Sequence, residues 1–304
     1  MSFSAQVKEE ISRLPAEHKK YAAAELYAAF LSVGVLSLSS SGLALKISFE
    51  QHFTARRFYQ LLRDFFHVDC EILQLNNNLN TKKTFSLVIT GRQTVTQLLA
   101  DIGFPADHLL SVTPDTALFL TQRERIHFLR GLFLSCGSLT HPQKNYHAEF
   151  VLKSRESAQF TGKILKKAEL FFKTVLRKSD YVIYLKSGDS ISNLLSLLGA
   201  HASLLEYENI RVLKDMRNNI NRAVNCETAN ISKTVSAAQK QMMDIRKIEE
   251  RCGLDRLSPV LGEAAMLRLS HPDSTLSELA ELAGTSKSAM NHRLRKLKQI
   301  AEEL

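Results

Sequence analysis

Cysteine is scarce and scattered: Cys70, Cys136, Cys226 and Cys252 are the only four in 304 residues, and no two form a CxxC pair. That spacing argues against a zinc knuckle and against a disulfide framework, and it fits a reducing cytoplasm. No apolar run approaches the roughly 18 residues that a membrane span needs, so no membrane is expected. Residues 1–10 contain Glu9 and Glu10 and no apolar core run, so they do not read as a signal peptide. There is no nucleophile elbow for a serine hydrolase and no paired cysteine for redox chemistry. Histidines such as His147 are scattered rather than clustered, and neither a metal nor a cofactor is expected.

What is present is ample apolar material and an excess of positive charge. A hydrophobic content of 44% in a chain of this length supports two domains. The net charge of +9 and the pI of 9.4 favour a polyanionic partner, because clustered lysine and arginine gain affinity by releasing counterions from phosphates.

Two stretches nearly repeat each other: residues 30–36 read FLSVGVL and residues 133–139 read FLSCGSL. Each ends an apolar run, 22–33 and 126–135, that predicts a close-packing helix stopped by a glycine. The likeness extends downstream. Strand patterns at 44–49 and 148–152 are followed by amphipathic helices at 54–66 and 156–172, each closing on paired phenylalanines. Further strands at 85–89 and 181–185 precede short helices ending at Gly103 and Gly199. Each half therefore reads helix, two strands, helix, two strands, helix, with a period near that of a duplicated domain.

The repeated motif resembles LAGLIDADG, the signature of a homing-endonuclease fold in which two paired helices each deliver a metal-binding carboxylate just before the glycine. Here those positions are Val33 and Cys136. Valine offers no ligand and a thiol suits magnesium poorly. Glu25 and Glu124 lie too far along their helices to substitute, and the sequence alone does not place Glu149 or Asp189. Catalysis is therefore not expected, with residual metal-dependent nuclease activity as the alternative. The resemblance implies two sheets forming a saddle, and Arg56, Arg57, Lys82, Lys83, Lys163, Lys166, Lys167, Arg177 and Lys178 are its candidate basic surface. The competing reading makes the saddle a platform for a protein partner.

Beyond His201 the strand pattern ends. Residues 206–220 read as a linker rich in asparagine, a poor residue for a helix interior, with Arg217 and Arg222 as a candidate DNA-contacting arm. A long amphipathic helix is expected over 229–251, stopped by Gly253.

The tail carries the clearest local signals. A helix over 263–269 breaks at His271-Pro272. Thr275 and Glu278 have capping-box spacing, Gly284 ends the second helix, and Ser286 is the candidate N-cap of a third over 287–302. That order is a helix-turn-helix, whose last helix fits the major groove. Its candidate DNA-binding residues are Ser286, Lys287, Ser288, Asn291, His292, Arg293, Arg295, Lys296 and Lys298. Asn291 and Arg295 suit adenine and guanine edges, while Lys287, Arg293, Lys296 and Lys298 suit phosphates.

Residues 216–230 (MRNNINRAVNCETAN) and 286–297 (SKSAMNHRLRKL), with Leu129-Arg130-Gly131 and Tyr146-His147, closely resemble the WhiA family over essentially the whole chain. The resemblance implies an α+β protein. Residues 1–205 would form a degenerate, duplicated LAGLIDADG domain with repeats at about 18–103 and 121–199, residues 206–220 a linker, and residues 221–304 an all-α helix-turn-helix domain. It also implies a non-catalytic, sequence-specific DNA-binding transcriptional regulator, linked to sporulation in some lineages and to cell division and chromosome segregation in others. The expected partner is double-stranded DNA, with a protein partner for the N-terminal domain as a further candidate. Internal duplication removes the need for a dimer, so a cytoplasmic, nucleoid-associated monomer is expected.

Overall fold

The computed structural model describes residues 1–39, 42–76, 83–104 and 121–304. They form two compact units, Met1–Lys214 and Asp215–Leu304. In the first, α1 (Phe3–Ser12) precedes two copies of one element order. The first copy is α2 (Lys19–Val33), β1 (Gly34–Ser39), β2 (Gly42–Phe49), α3 (His52–Phe66), β3 (Glu71–Asn76), β4 (Lys83–Thr90) and α4 (Arg92–Ile102). The second is α5 (Gln122–Cys136), β5 (Gly137–Leu139), β6 (Ala148–Leu152), α6 (Arg155–Lys167), β7 (Lys173–Arg177), β8 (Asp180–Leu185) and α7 (Gly188–Leu198). The duplicated α+β architecture read from the sequence is the observed one.

Each copy folds into an antiparallel four-stranded sheet, ordered β1-β2-β4-β3 and β5-β6-β8-β7. Period-two alternation sets the faces. In β2, Leu43, Leu45, Ile47 and Phe49 are buried, while Ala44, Lys46 and Ser48 occupy the opposite, open face. In β6, Ala148, Phe150 and Leu152 are buried and Glu149 and Val151 are half-exposed. α2 and α5 pair through the core, where Tyr27 stacks on Phe104 with ring centroids 4.1 Å apart.

Of the two strand-connecting helices, α3 ends at Phe66 as expected and α6 ends earlier than hydrophobicity suggests. α6 stops at Lys167 rather than at residue 172, because Glu169 turns left-handed at φ 58° and the Leu170 amide bonds back to the Leu165 carbonyl at 3.1 Å. Phe171 is left exposed, while Phe172 packs against the core from outside the helix. α3 ends the same way at His67, φ 53°, with the Val68 amide on the Leu62 carbonyl. Non-glycine residues make both stops, so no glycine marks them in the sequence.

Residues 206–220, expected as a linker, are helical. They belong to α8 (His201–Cys252), which also contains the helix expected over 229–251. The boundary between the units falls within it, at Lys214 and Asp215. The stretch contains no glycine and no proline. Once a helix is nucleated, scattered asparagines lower its propagation without stopping it.

The second unit continues from α8 through a 3-10 turn (Leu254–Arg256) to α9 (Pro259–Ser270), α10 (Leu276–Leu282) and α11 (Lys287–Glu303). Ile245, Ile248, Ala264, Leu279, Met290, Leu294 and Leu297 form its core.

Candidate nucleic-acid interface

The repeated motif places the tips of α2 and α5 together. Gly131 makes this approach possible: a Cβ there would lie 2.6 Å from the Glu25 Cα of the facing helix. Gly34 and Gly137 do end the helices, but in extended conformation (φ −72° and −75°), not in the left-handed one a glycine stop implies. What requires glycine there is space, since an added Cβ would lie 2.9 Å and 2.7 Å from the Cα of Phe30 and Phe133.

At the tips the Ser32 and Ser135 hydroxyls meet at 2.7 Å. Val33 supplies no donor. Burial pushes the Cys136 thiol up to about 11 even with Lys8 favouring the thiolate, so it is protonated at neutral pH. Lys8 of α1, with its ammonium 5.9 Å from the Phe133 ring centroid, acts electrostatically on Cys136. Burial in turn lowers the pKa of Lys8 against the pull of Cys136 and Glu50. A neutral thiol, a valine and a nearby ammonium do not fit a hard divalent cation. Among the described residues no group of three or more histidine, cysteine, aspartate or glutamate side chains could hold one.

The acids considered as substitutes are engaged elsewhere. Glu25 is buried and salt-bridged, accepting from Arg57 Nε and Nη2 at 3.0 Å each and contacting His127 Nδ1 at 2.8 Å. Burial alone would raise this carboxyl, but the bond to His127 and the charge of Arg57 hold it below the usual carboxylate range. Glu124 closes a capping box with Thr121 at the start of α5. Asp189 pairs with Arg211. Glu149 does lie on the open sheet face, where it pairs with Arg177 at 3.3 Å and His147 at 3.3 Å.

The candidate basic surface is broken up by the fold. Arg57 is 7% exposed and committed to Glu25 and the Leu14 carbonyl, so it is a core residue. Arg56, Lys163, Lys166 and Lys167 are exposed on α3 and α6, the helices that cover the buried sheet faces. On the open face Arg177 is paired with Glu149, and Lys153 holds Asp180 at 2.9 Å. Lys83 and Lys178 are exposed, the latter at a turn with φ 58°, and Lys82 lies outside the described residues.

The second unit bears out the local signals of the tail. Thr275 and Glu278 form the capping box, Gly284 turns at φ 58°, and the Ser286 hydroxyl accepts from the Ala289 amide at 3.2 Å to open α11. A residue missed in the sequence fixes the turn before α10. Arg268 is 2% exposed and donates to the carbonyls of Ser274 (2.7 Å), His271 (3.4 Å) and Pro272 (3.5 Å). Its signal would have been a basic residue interrupting the apolar face of α9.

On α11, Met290, Leu294, Leu297 and Ala301 face the core, and Ser286, Lys287, Ser288, Asn291, His292, Arg295, Lys296 and Lys298 are exposed. Arg293 differs: it is half-buried and pairs with Glu263 of α9 at 3.2 Å, which makes it a brace between helices. Lys298 pairs with Glu302 one turn on at 3.4 Å. Arg295 and Lys298 also line a cleft of about 310 Å³ with Ala237, Lys240, Gln241 and Asp244 of α8. Arg217 and Arg222 are both exposed on α8.

Comparison with known proteins covers all three parts of the chain. Residues 19–104 match the WhiA N-terminal LAGLIDADG-like domain, residues 125–217 the WhiA LAGLIDADG-like domain and residues 220–301 the WhiA C-terminal HTH domain. The "Probable cell division protein WhiA" of Clostridium beijerinckii is 41% identical over 311 residues, spanning 100% of this chain and 99% of the relative. Among solved structures, full-length DUF199/WhiA from Thermatoga maritima aligns over 100% of this chain and 99% of its own, with TM-score 0.62 and 25% identity. The N-terminal LAGLIDADG domain of DUF199/WhiA aligns over 65% of this chain and 90% of its own, with TM-score 0.53 and 24% identity. With three domain matches in order and a relative this similar over its full length, the chain belongs to the WhiA family.

Proposed function

We propose that this chain is a DNA-binding regulator acting in cell division, and that it binds duplex DNA without cutting it. The observation that carries this reading is α11, whose exposed Ser288, Asn291, His292 and Arg295 form one face of a capped helix braced by α9 and α10. Residues 286–298 contain no acid. A helix of this kind offers its first turns to base edges in the major groove, with Arg295 suited to guanine and Asn291 to adenine. Lys287, Lys296 and Lys298 flank that face as phosphate contacts. The relatives' cell-division name extends the reading to regulation of division genes; chromosome segregation, and sporulation in some relatives, rest on the family resemblance alone.

For the first unit we favour a protein platform over a DNA saddle. Arg177 and Lys153 on its open face are already paired with Glu149 and Asp180, which competes with phosphate contact by these two cations. The mismatched donor set at Val33 and Cys136 supports a non-catalytic role. We place the protein in the cytoplasm, on the nucleoid, as a monomer.

The test is selection of bound duplexes from a randomised pool by the full chain, repeated with Arg295→Ala. A defined sequence preference, relaxed at one position at a cost of about 1 to 3 kcal/mol, is expected. Equal loss on every sequence would reduce Arg295 to a phosphate contact, and absence of any duplex binding would overturn the reading.

A further inference from the structure

The stretch of α8 from Asp215 to Lys233 is exposed at every residue. Its side chains nevertheless sort onto two faces with an 11-residue period. Met216, Ile220, Val224, Ile231 and Val235 recur at four- and seven-residue steps, with Glu227 in the slot between Val224 and Ile231, and lead into the buried Ala238 and Ile245. On the opposite side Asn218, Arg222, Asn225, Ala229, Lys233, Ser236 and Lys240 follow at three- and four-residue steps.

The polar face is unusual in three respects. It carries no acid: between Met216 and Met243 the one acidic residue is Glu227, which falls on the apolar side. It is unengaged, since among the described residues none partners the side chains of Asn218, Asn221, Arg222, Asn225 or Lys233. It also works against the helix that carries it. Asparagine is a markedly poorer helix former than alanine, yet Asn218, Asn219, Asn221 and Asn225 sit mid-helix at exposed positions where no tertiary contact compensates. Residues that break a local rule without a packing return point to a ligand.

Charge and chemistry identify that ligand. Arg222, Lys233 and Lys240 suit phosphates, and carboxamides on small-residue surroundings (Ala229, Ser232, Ser236) suit base edges approached closely by a helix. The face also borders α11, because Lys240 and Ala237 share the cleft of Arg295 and Lys298. Resting on the reading of α11 as a DNA-binding helix, we propose that the Asn218–Arg222–Asn225–Lys233 face of α8 is a second duplex-DNA contact. Its asparagine amides read base edges and its cations grip the backbone. Residues 218–236 span about 27 Å as a helix, enough to follow a groove across several base pairs. Of the two arginines in the candidate arm, Arg222 lies on this face and Arg217 beside Ile220 and Val224.

The experiment uses the full chain and duplexes selected by it, with affinity followed by anisotropy and helix content by circular dichroism. Asn218→Ala with Asn225→Ala should raise helicity and thermal stability while weakening binding roughly tenfold. Arg222→Ala should lower the salt slope of binding by about one. Val224→Ala, on the apolar face, is the matched control and should bind as the parent does. Unchanged affinity in the asparagine variant, with Arg295→Ala still impaired, overturns this inference and leaves the reading of α11 intact. A parent chain that binds no duplex overturns both.

Discussion

The hydroxyl oxygens of Ser32 and Ser135 lie 2.7 Å apart where the two signature helices end. Each oxygen also lies within bonding distance of a carbonyl of its own helix, Ser32 of Ala28 at 2.7 Å and Ser135 of Gly131 at 2.8 Å; with one proton apiece, one serine donates to its carbonyl and the other to its partner's oxygen. Neither hydroxyl carries a charge, so the centre of the pseudo-symmetric unit is closed by a neutral contact at the place where the related fold would gather negative charge.

Supercoiled plasmid incubated with the purified chain and either magnesium or manganese should therefore remain uncut. Nicking that tracks the protein peak through purification and requires the metal would show that donors other than Val33 and Cys136 assemble a site.

Gly131 sets how closely α2 and α5 approach. Alanine in a helix interior would ordinarily be favoured over glycine by roughly 0.5 to 1 kcal/mol. Here its Cβ would lie 2.6 Å from the Glu25 Cα, a backbone atom that no rotamer change can move away. The clash should win, at a net cost of about 1 to 3 kcal/mol. A lowered melting temperature for Gly131→Ala checks this. An unchanged or raised one would mean the helices separate at little cost.

Element order was legible because duplication lets two weak patterns corroborate each other, and because Thr275, Gly284 and Ser286 are local signals with local consequences. The missing pieces depend on contacts distant in sequence or on conformations that composition does not reveal. Arg57 looks like a surface cation until Glu25, 32 residues away, takes it into the core. Arg293 looks like a phosphate contact until Glu263 claims it. Glu169 adopts a left-handed turn usually left to glycine, so α6 ends unannounced. Continuity of α8 was hidden by asparagines whose cost is real but small beside cooperative propagation.

The cysteines should separate by reactivity. Burial pushes Cys70 and Cys136 up to about 11, so near neutral pH their thiolate fraction is roughly a hundredfold lower than for an ordinary thiol at 9.0. Cys226 is exposed on α8. Timed iodoacetamide labelling read by peptide mass spectrometry should modify Cys226 first, and the half-buried Cys70 and Cys136 much more slowly. Labelling of Cys136 as fast as Cys226 would show that burial does not hold its thiol protonated.

Glu25 ties the acid sensitivity of the first unit to one buried group. Because the folded-state pKa lies below the ordinary carboxyl value of 4.5, the charged form is favoured by folding. The contribution is fully present above the unfolded value and is lost as pH falls through the folded one. Stability of the parent should therefore decline as pH drops below about 4.5, whereas Glu25→Gln, which cannot ionise, should show a shallower acid limb. At neutral pH, Glu25→Ala should cost about 3 to 5 kcal/mol, since it leaves the Arg57 guanidinium buried without its counter-charge. Adding Arg57→Met should recover part of that loss by removing the stranded charge. Denaturant melts at several pH values test both points. Parallel acid limbs for parent and Glu25→Gln would assign the acid sensitivity to other carboxylates.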